Sequence, residues 1–145
     1  MQKRPGTGEP VKKAVIDTNV LISALLKQGS VPDLVIDDVK CGKLVPVVNP
    51  YLRNEYEKVL FRDKFHFDTV RVSGLLEIID KAACVCRERR EGRKLNDPKD
   101  QEIYELYLAA KELYGATLIT GNMKHYPEEE GIVSPRGYLE EKDEF

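Results

Sequence analysis

Four short runs dominated by β-branched and other apolar residues, AVID (14–17), LVPVV (44–48), ACVC (83–86) and ATLIT (116–120), alternate along this chain with longer stretches of helical period. No other feature narrows the possible folds as far. Strands separated by helix-length connections return in the same direction, so they lie parallel, with helices covering both faces of the sheet.

The connecting segments carry their own helix signals. Residues 19–26 are too continuously apolar for a helix with an exposed face. Ser30 is a good cap for a second helix, with Pro32 in its first turn and Gly42 near its end. Asn49 or Pro50 opens a third, which carries Leu52, Tyr56, Val59 and Leu60 at helical spacing. A fourth, capped by Asp68 or Ser73, turns Leu75, Leu76, Ile79 and Ala82 inward. The longest runs over 98–113, with Ile103, Leu106, Tyr107, Ala110 and Leu113 in core rhythm and Gly115 as its stop. Pro135 starts a last short one. The expected architecture is α/β: a three-layer α/β/α sandwich around a central, mainly parallel sheet of four strands, or five if Ile132 and Val133 add one.

A chain of 145 residues is the size of one ordinary domain, and no repeat or second composition regime divides it. We expect a single domain over 13–145, preceded by a flexible leader over 1–12. That leader is basic and turn-rich with no apolar segment behind it, unlike a secretory signal. The longest apolar stretch, 20–26, is broken by Ser23 and is too short to span a bilayer. Cytoplasmic residence without a membrane partner is the expectation. Cys41, Cys84 and Cys86 form an odd set with no disulfide-like framework, as suits a reducing compartment. Cys84 and Cys86 have no second Cys or His pair with which to build a zinc site, so they read as alternate core-facing residues of a strand.

The net charge of −2 excludes a protein that coats nucleic acid by general electrostatics. Its densest basic run, Arg87, Arg89, Arg90, Arg93 and Lys94, is interleaved with Glu88 and Glu91. It reads first as a solvated loop or helix end, and second as a rim that contacts phosphate.

In parallel α/β sheets ligands bind beyond the carboxyl ends of the strands. Three of the expected strands end there in polar sequence: Asp17-Thr18-Asn19, then Asn96-Asp97-Pro98-Lys99-Asp100 after the basic run, and Thr120-Gly121-Asn122. Glu55 lies one residue before the inward Tyr56 on the helix between them. Carboxylates without thiolates or histidines make an oxygen-donor site, which suits Mg²⁺ or Mn²⁺ rather than zinc. Each acid has a structural alternative. Asp17 stands where an N-cap would, Asp97 and Asp100 open a helix whose dipole favours acids, and Glu55 fits a solvated helix position. His66 and His125 have no evident partner set; His125, beside Lys124, reads as an ordinary loop residue or a phosphate contact.

Over residues 13 to about 139 the chain resembles the PIN-domain ribonucleases, in particular the branch of VapC-type toxins of toxin–antitoxin pairs. The matching blocks are VIDTNVLISALL, NPYLRNEYEKVL, LNDPKDQEIYELYLAA, and GATLITGNMKHYP followed by IVSPRGYL. The resemblance implies a four-acid site with a divalent cation, Mg²⁺ or Mn²⁺. Asp17, Glu55 and Asp100 occupy its acidic positions, and Asp97, one turn earlier, shares or replaces the role of Asp100. The fourth position, often Asp after Thr-Gly, is Asn122, which offers an amide oxygen and no charge to a second ion. Asn19, Thr120 and Lys124 would position ligands or the scissile phosphate. The implied activity is hydrolysis of single-stranded or looped RNA to 5′-phosphate and 3′-hydroxyl ends. The resemblance also implies a homodimer and a possible antitoxin partner.

Two other readings compete. A degenerate fold of the same kind would bind RNA or protein without cleaving. A haloacid-dehalogenase-like phosphohydrolase also places an acid after its first strand, but it needs a second carboxylate two residues later, where Asn19 stands. A nucleotide-binding module would need a glycine-rich phosphate loop, which the chain lacks.

Overall fold

The structure, a computed structural model, describes residues 11–142. Residues 1–10 of the expected leader lie outside the described residues, and Lys12 already belongs to the first strand. The elements follow the expected alternation: β1 (Lys12–Ile16), α1 (Thr18–Leu26), α2 (Val31–Lys40), β2 (Leu44–Val48), α3 (Pro50–Leu60), α4 (Thr69–Ala82), β3 (Cys84–Val85), α5 (Pro98–Tyr114), β4 (Thr117–Ile119), β5 (Ile132–Val133) and α6 (Pro135–Lys142). Single 3₁₀ turns occupy Asp63–Phe65 and Met123–His125.

The strands form one sheet in the order β3-β2-β1-β4-β5, and every pairing is parallel. Ala14, Val15 and Ile16 are all fully buried, although successive side chains of a strand point to opposite faces. The central strand is therefore covered on both sides, as the parallel arrangement requires. Ile132 and Val133 do add the fifth strand, beside Leu118 and Ile119. Among the described residues no helix is long and apolar enough to cross a membrane.

Local chemistry sets the helix starts. Ser30 Oγ accepts from the Asp33 N–H at 3.4 Å, and Asn49 Oδ1 accepts from the Leu52 N–H at 2.8 Å, directly before Pro50. Asp68, rather than Ser73, caps α4 through the Val70 N–H at 2.8 Å. Gly115 closes α5 with φ at +67°, a conformation costly for any residue with a Cβ.

Three expectations need correction. Leu113 is not a core residue: it is 53% exposed, in a last turn of α5 whose residues 111–114 are all exposed. The apolar α1 does have an outer side, with Ser23 and Leu26 exposed. β3 is a two-residue edge strand, so Cys86 is buried while Cys84 is only half-buried.

One buried group lacks a partner. The Tyr107 hydroxyl, on α5, has no hydrogen bond among the described residues, and burial pushes it up to about 12, with Glu129 adding to the shift. It lies against Gly131, where a Cβ would collide with the hydroxyl oxygen. Tyr107→Phe should therefore stabilise the protein by about 1 kcal/mol, because it removes an unsatisfied buried polar group. Gly131→Ala should destabilise by about 1–3 kcal/mol through overpacking. Thermal melting of the double variant tests the cause. Most of the Gly131→Ala loss should disappear in the Tyr107→Phe background, whereas simple additivity would show that the collision is not its source.

Candidate metal centre at the carboxyl ends of β1 and β4

The register of the two central strands builds the site. Ile16 pairs with Ile119, so the residues that follow them, Asp17 and Thr120, leave the sheet side by side. The Asp17 N–H still bonds Ile119 O at 2.9 Å, which keeps the two chains together past the ladder.

Asp17 occupies the N-cap position of α1, yet its side chain makes no capping hydrogen bond. It turns inward instead and is only 6% exposed. Its Oδ2 accepts from Thr120 Oγ1 at 2.9 Å and from the Tyr126 hydroxyl at 2.9 Å. The capping alternative is thereby excluded for this residue. Thr120 is itself buried, and its Oγ1 also accepts from the Asn122 N–H at 3.0 Å. Asn19 Oδ1 accepts from the Gly121 N–H at 2.9 Å, and Asn19 Nδ2 stands 3.5 Å from Thr120 Oγ1. Asn19 and Thr120 thus fix the turn after β4 against the start of α1.

Asp100, in the first turn of α5, comes to the same place. Its Oδ1 lies 3.3 Å from the Tyr126 hydroxyl and its Oδ2 lies 3.2 Å from His125 Nδ1. Tyr126 has one hydroxyl proton and two carboxylate neighbours, so it bridges Asp17 and Asp100. Burial, followed by the charges of Asp17 and Asp100, pushes that hydroxyl far above the ordinary tyrosine range. It stays protonated, hence a donor. The Asp100 carboxyl is raised in turn, first by burial and then by Asp97 and Asp17, with His125 and Tyr126 opposing the shift.

Glu55 reaches the rim from α3. Its neighbour Tyr56 is fully buried and donates its hydroxyl proton to Ile16 O, which ties α3 to the end of β1. The Glu55 side chain is 13% exposed, and its Oε2 lies 3.7 Å from Lys99 Nζ. Tyr51, one helical turn before it, has a hydroxyl raised by burial and then by Glu55, Glu102, Asp97 and Asp100. The contact with Lys99, in the first turn of α5, sets Glu55 beside the start of that helix.

The remaining expected residues lie further out. Asp97 is exposed and caps α5, accepting from the Lys99 N–H at 2.8 Å. Asn122 and Lys124 are exposed around the Met123–His125 turn. Among the described residues no three His, Cys, Asp or Glu side chains stand together as a group that could hold a metal ion. The Tyr126 proton, the His125 ring and the Lys99 ammonium occupy the gaps between the acids.

Sequence reasoning missed Tyr126, the pairing of His125 with Asp100, and the placement of Lys99 and Tyr51 on the rim. Tyr126 had a weak signal, as a lone aromatic inside the polar stretch NMKHYP. The basic run is partly engaged by α5. Arg89 pairs with Glu105 and, at 3.2 Å, with Glu102, and Arg90 pairs with Glu112, so these two arginines serve the fold.

The donor chemistry fits a hard divalent cation. All the ligand candidates are oxygen donors, and the Asp100 carboxyl, raised first by burial and then by Asp97 and Asp17, is of the kind that a bound cation would stabilise in its charged form. A family model described as PIN domain matches residues 13–124. No curated protein matches the chain.

Proposed function

The chain belongs to the PIN-domain family, whose members are generally nucleases, and from that premise we propose that it is a divalent-metal-dependent endoribonuclease. The observation that supports this best is the buried Asp17 carboxylate at the end of the central strand, bridged to Asp100 through one tyrosine proton. Asp17, Glu55 and Asp100 would hold a Mg²⁺ or Mn²⁺ ion, with Asp97 at the edge and Asn122 contributing an amide oxygen. When bound, such an ion lowers the pKa of a water and offsets charge on the leaving oxygen.

The protein's own groups do the positioning. Thr120 donates to Asp17 Oδ2 and so orients the carboxylate. Asn19 fixes the turn that carries Asn122 and Lys124. Lys99, beside Glu55, and Lys124, exposed in the turn after β4, would meet the phosphodiester. The order of the four sequence blocks supports the narrower reading of a toxin component, dimeric, cytoplasmic and paired with an antitoxin.

A second reading has its own support. Tyr126, His125 and Lys99 already stand against the acids as partners, which would suit a PIN fold that binds RNA or protein without cutting. One experiment separates the two: purified protein incubated with mixed RNAs in Mg²⁺, in Mn²⁺ or in chelator. Cleavage to 5′-phosphate products with either metal and none in chelator is expected. Cleavage undiminished by chelator would overturn the metal dependence, and no cleavage with either metal would overturn the nuclease reading.

A further inference from the structure

Tyr126 follows the Met123–His125 turn, where its N–H bonds Met123 O at 3.2 Å, and its ring packs into the hydrophobic core, 5% exposed. A ring held in the core gives its hydroxyl a fixed position, 2.9 Å from Asp17 Oδ2 and 3.3 Å from Asp100 Oδ1. Thr120 Oγ1 donates to the same Asp17 oxygen at 2.9 Å. A carboxylate oxygen offers two lone pairs, so two hydroxyl donors fill Asp17 Oδ2. Asp100 is engaged at both ends, since its Oδ2 lies 3.2 Å from His125 Nδ1. Neither carboxylate is therefore free to close both of its oxygens on one ion.

Divalent cations differ in what they ask of a carboxylate. Ca²⁺ gathers roughly six to eight oxygens at about 2.3–2.6 Å and accepts both oxygens of one acid. Mg²⁺ demands a near-ideal octahedron at about 2.0–2.1 Å, keeps several waters and uses one or two carboxylates. The two oxygens of a single carboxylate stand too close together for adjacent corners of that octahedron. We propose that the Tyr126 hydroxyl sets the cation specificity of the centre: with Thr120 it limits Asp17 and Asp100 to one oxygen each, which favours a small octahedral cation such as Mg²⁺ over Ca²⁺. The proposal rests on the reading of Asp17, Glu55 and Asp100 as a metal centre. Tyr126 acts through the two acids and is a positioning residue. It remains a donor there, because burial and the two carboxylates raise its hydroxyl far above the ordinary tyrosine range.

The test reads cation binding to the full chain with no RNA present. Bound Mn²⁺ is followed by electron paramagnetic resonance, and Mg²⁺ or Ca²⁺ is titrated in to displace it. Asp17→Asn should lose the bound Mn²⁺, which locates the ion; a signal retained in that variant would put the ion elsewhere and overturn the proposal. In the parent protein Mg²⁺ should displace Mn²⁺ at lower concentration than Ca²⁺ does. Tyr126→Phe keeps the ring and removes only the hydroxyl. Its Mg²⁺ affinity should fall about tenfold or more, as for loss of an outer hydrogen-bond partner of a ligand. Its Ca²⁺ affinity should hold or rise, because Asp100 regains an oxygen, so the preference narrows or inverts. Affinities for the two ions that fall by the same factor, or that do not change, would leave the hydroxyl a structural role alone and overturn the proposal. So would a parent protein that binds Ca²⁺ as well as Mg²⁺ or better, even if Tyr126→Phe failed to fold, and that result leaves the metal centre itself in place. A parent protein that binds no Mn²⁺ would refute the metal centre, and the selectivity with it.

Discussion

Asp17→Asn should abolish RNA cleavage in a protein that remains folded. The substitution keeps the size of the side chain and removes only its charge. An asparagine Oδ1 can still accept from Thr120 Oγ1 and the Tyr126 hydroxyl, as Asp17 Oδ2 does now at 2.9 Å from each. The exchange of a charged acceptor for a neutral one costs about 1 kcal/mol. The fully buried Ala14, Val15 and Ile16 beneath it are untouched. Activity should fall far more than stability. Removing an outer partner of a metal ligand typically costs about 10–100-fold, so loss of the ligand charge itself should exceed about a hundredfold. Cleavage rates and melting curves of the same preparation decide it. A variant that cuts at the parent's rate would remove Asp17 from the site, and one that loses activity and melting transition together would assign it to the fold.

That prediction depends on where the Asp17 side chain points, which the sequence left open. Helix caps span three or four residues, so their chemistry is local: the bonds from Ser30 to Asp33 and from Asn49 to Leu52 were readable from the residue types alone. The same logic made an N-cap an equally good reading of Asp17. It fails there because two buried hydroxyl donors, 103 and 109 residues further along the chain, compete for the carboxylate. Strand alternation likewise revealed a parallel sheet, but not the order β3-β2-β1-β4-β5 that sets Asp17 beside Thr120. Leu113 shows the opposite limit. Its spacing is right for the core, but periodicity does not tell where along a helix burial ends, and here residues 111–114 are all exposed. The polar ends of the strands and the family resemblance named the acids of the candidate site; the partners between them, Tyr126, His125 and Lys99, depend on tertiary contacts that leave little local trace.

The start of α5 presents two acids one turn apart, and their replacements should separate sharply. Asp97 is exposed and already employed as a cap, with Oδ1 2.8 Å from the Lys99 N–H. Serine caps helices about as well as aspartate, so Asp97→Ser should change stability by a few tenths of a kcal/mol at most. Cleavage should then stay within about threefold of the parent, since the charge lost is one that water screens. Asp100 faces the other way. Its side chain is 14% exposed, its oxygens meet Tyr126 and His125, and it shares the Tyr126 proton with Asp17. Asp100→Ser withdraws both oxygens from the Asp17 side of the rim, and the loss should again exceed about a hundredfold. Its fold should tolerate the change, because Asp100 is held there against burial and against the charges of Asp97 and Asp17, which raise its carboxyl. A carboxylate kept in place despite that repulsion gives a divalent cation something to relieve, and a capping carboxylate does not. Rates for the two serine variants in saturating Mg²⁺, with melting curves in chelator, test the distinction. If Asp97→Ser proves the more damaging to cleavage, the ligand is the capping residue, and the bridge through Tyr126 holds Asp100 for structure alone.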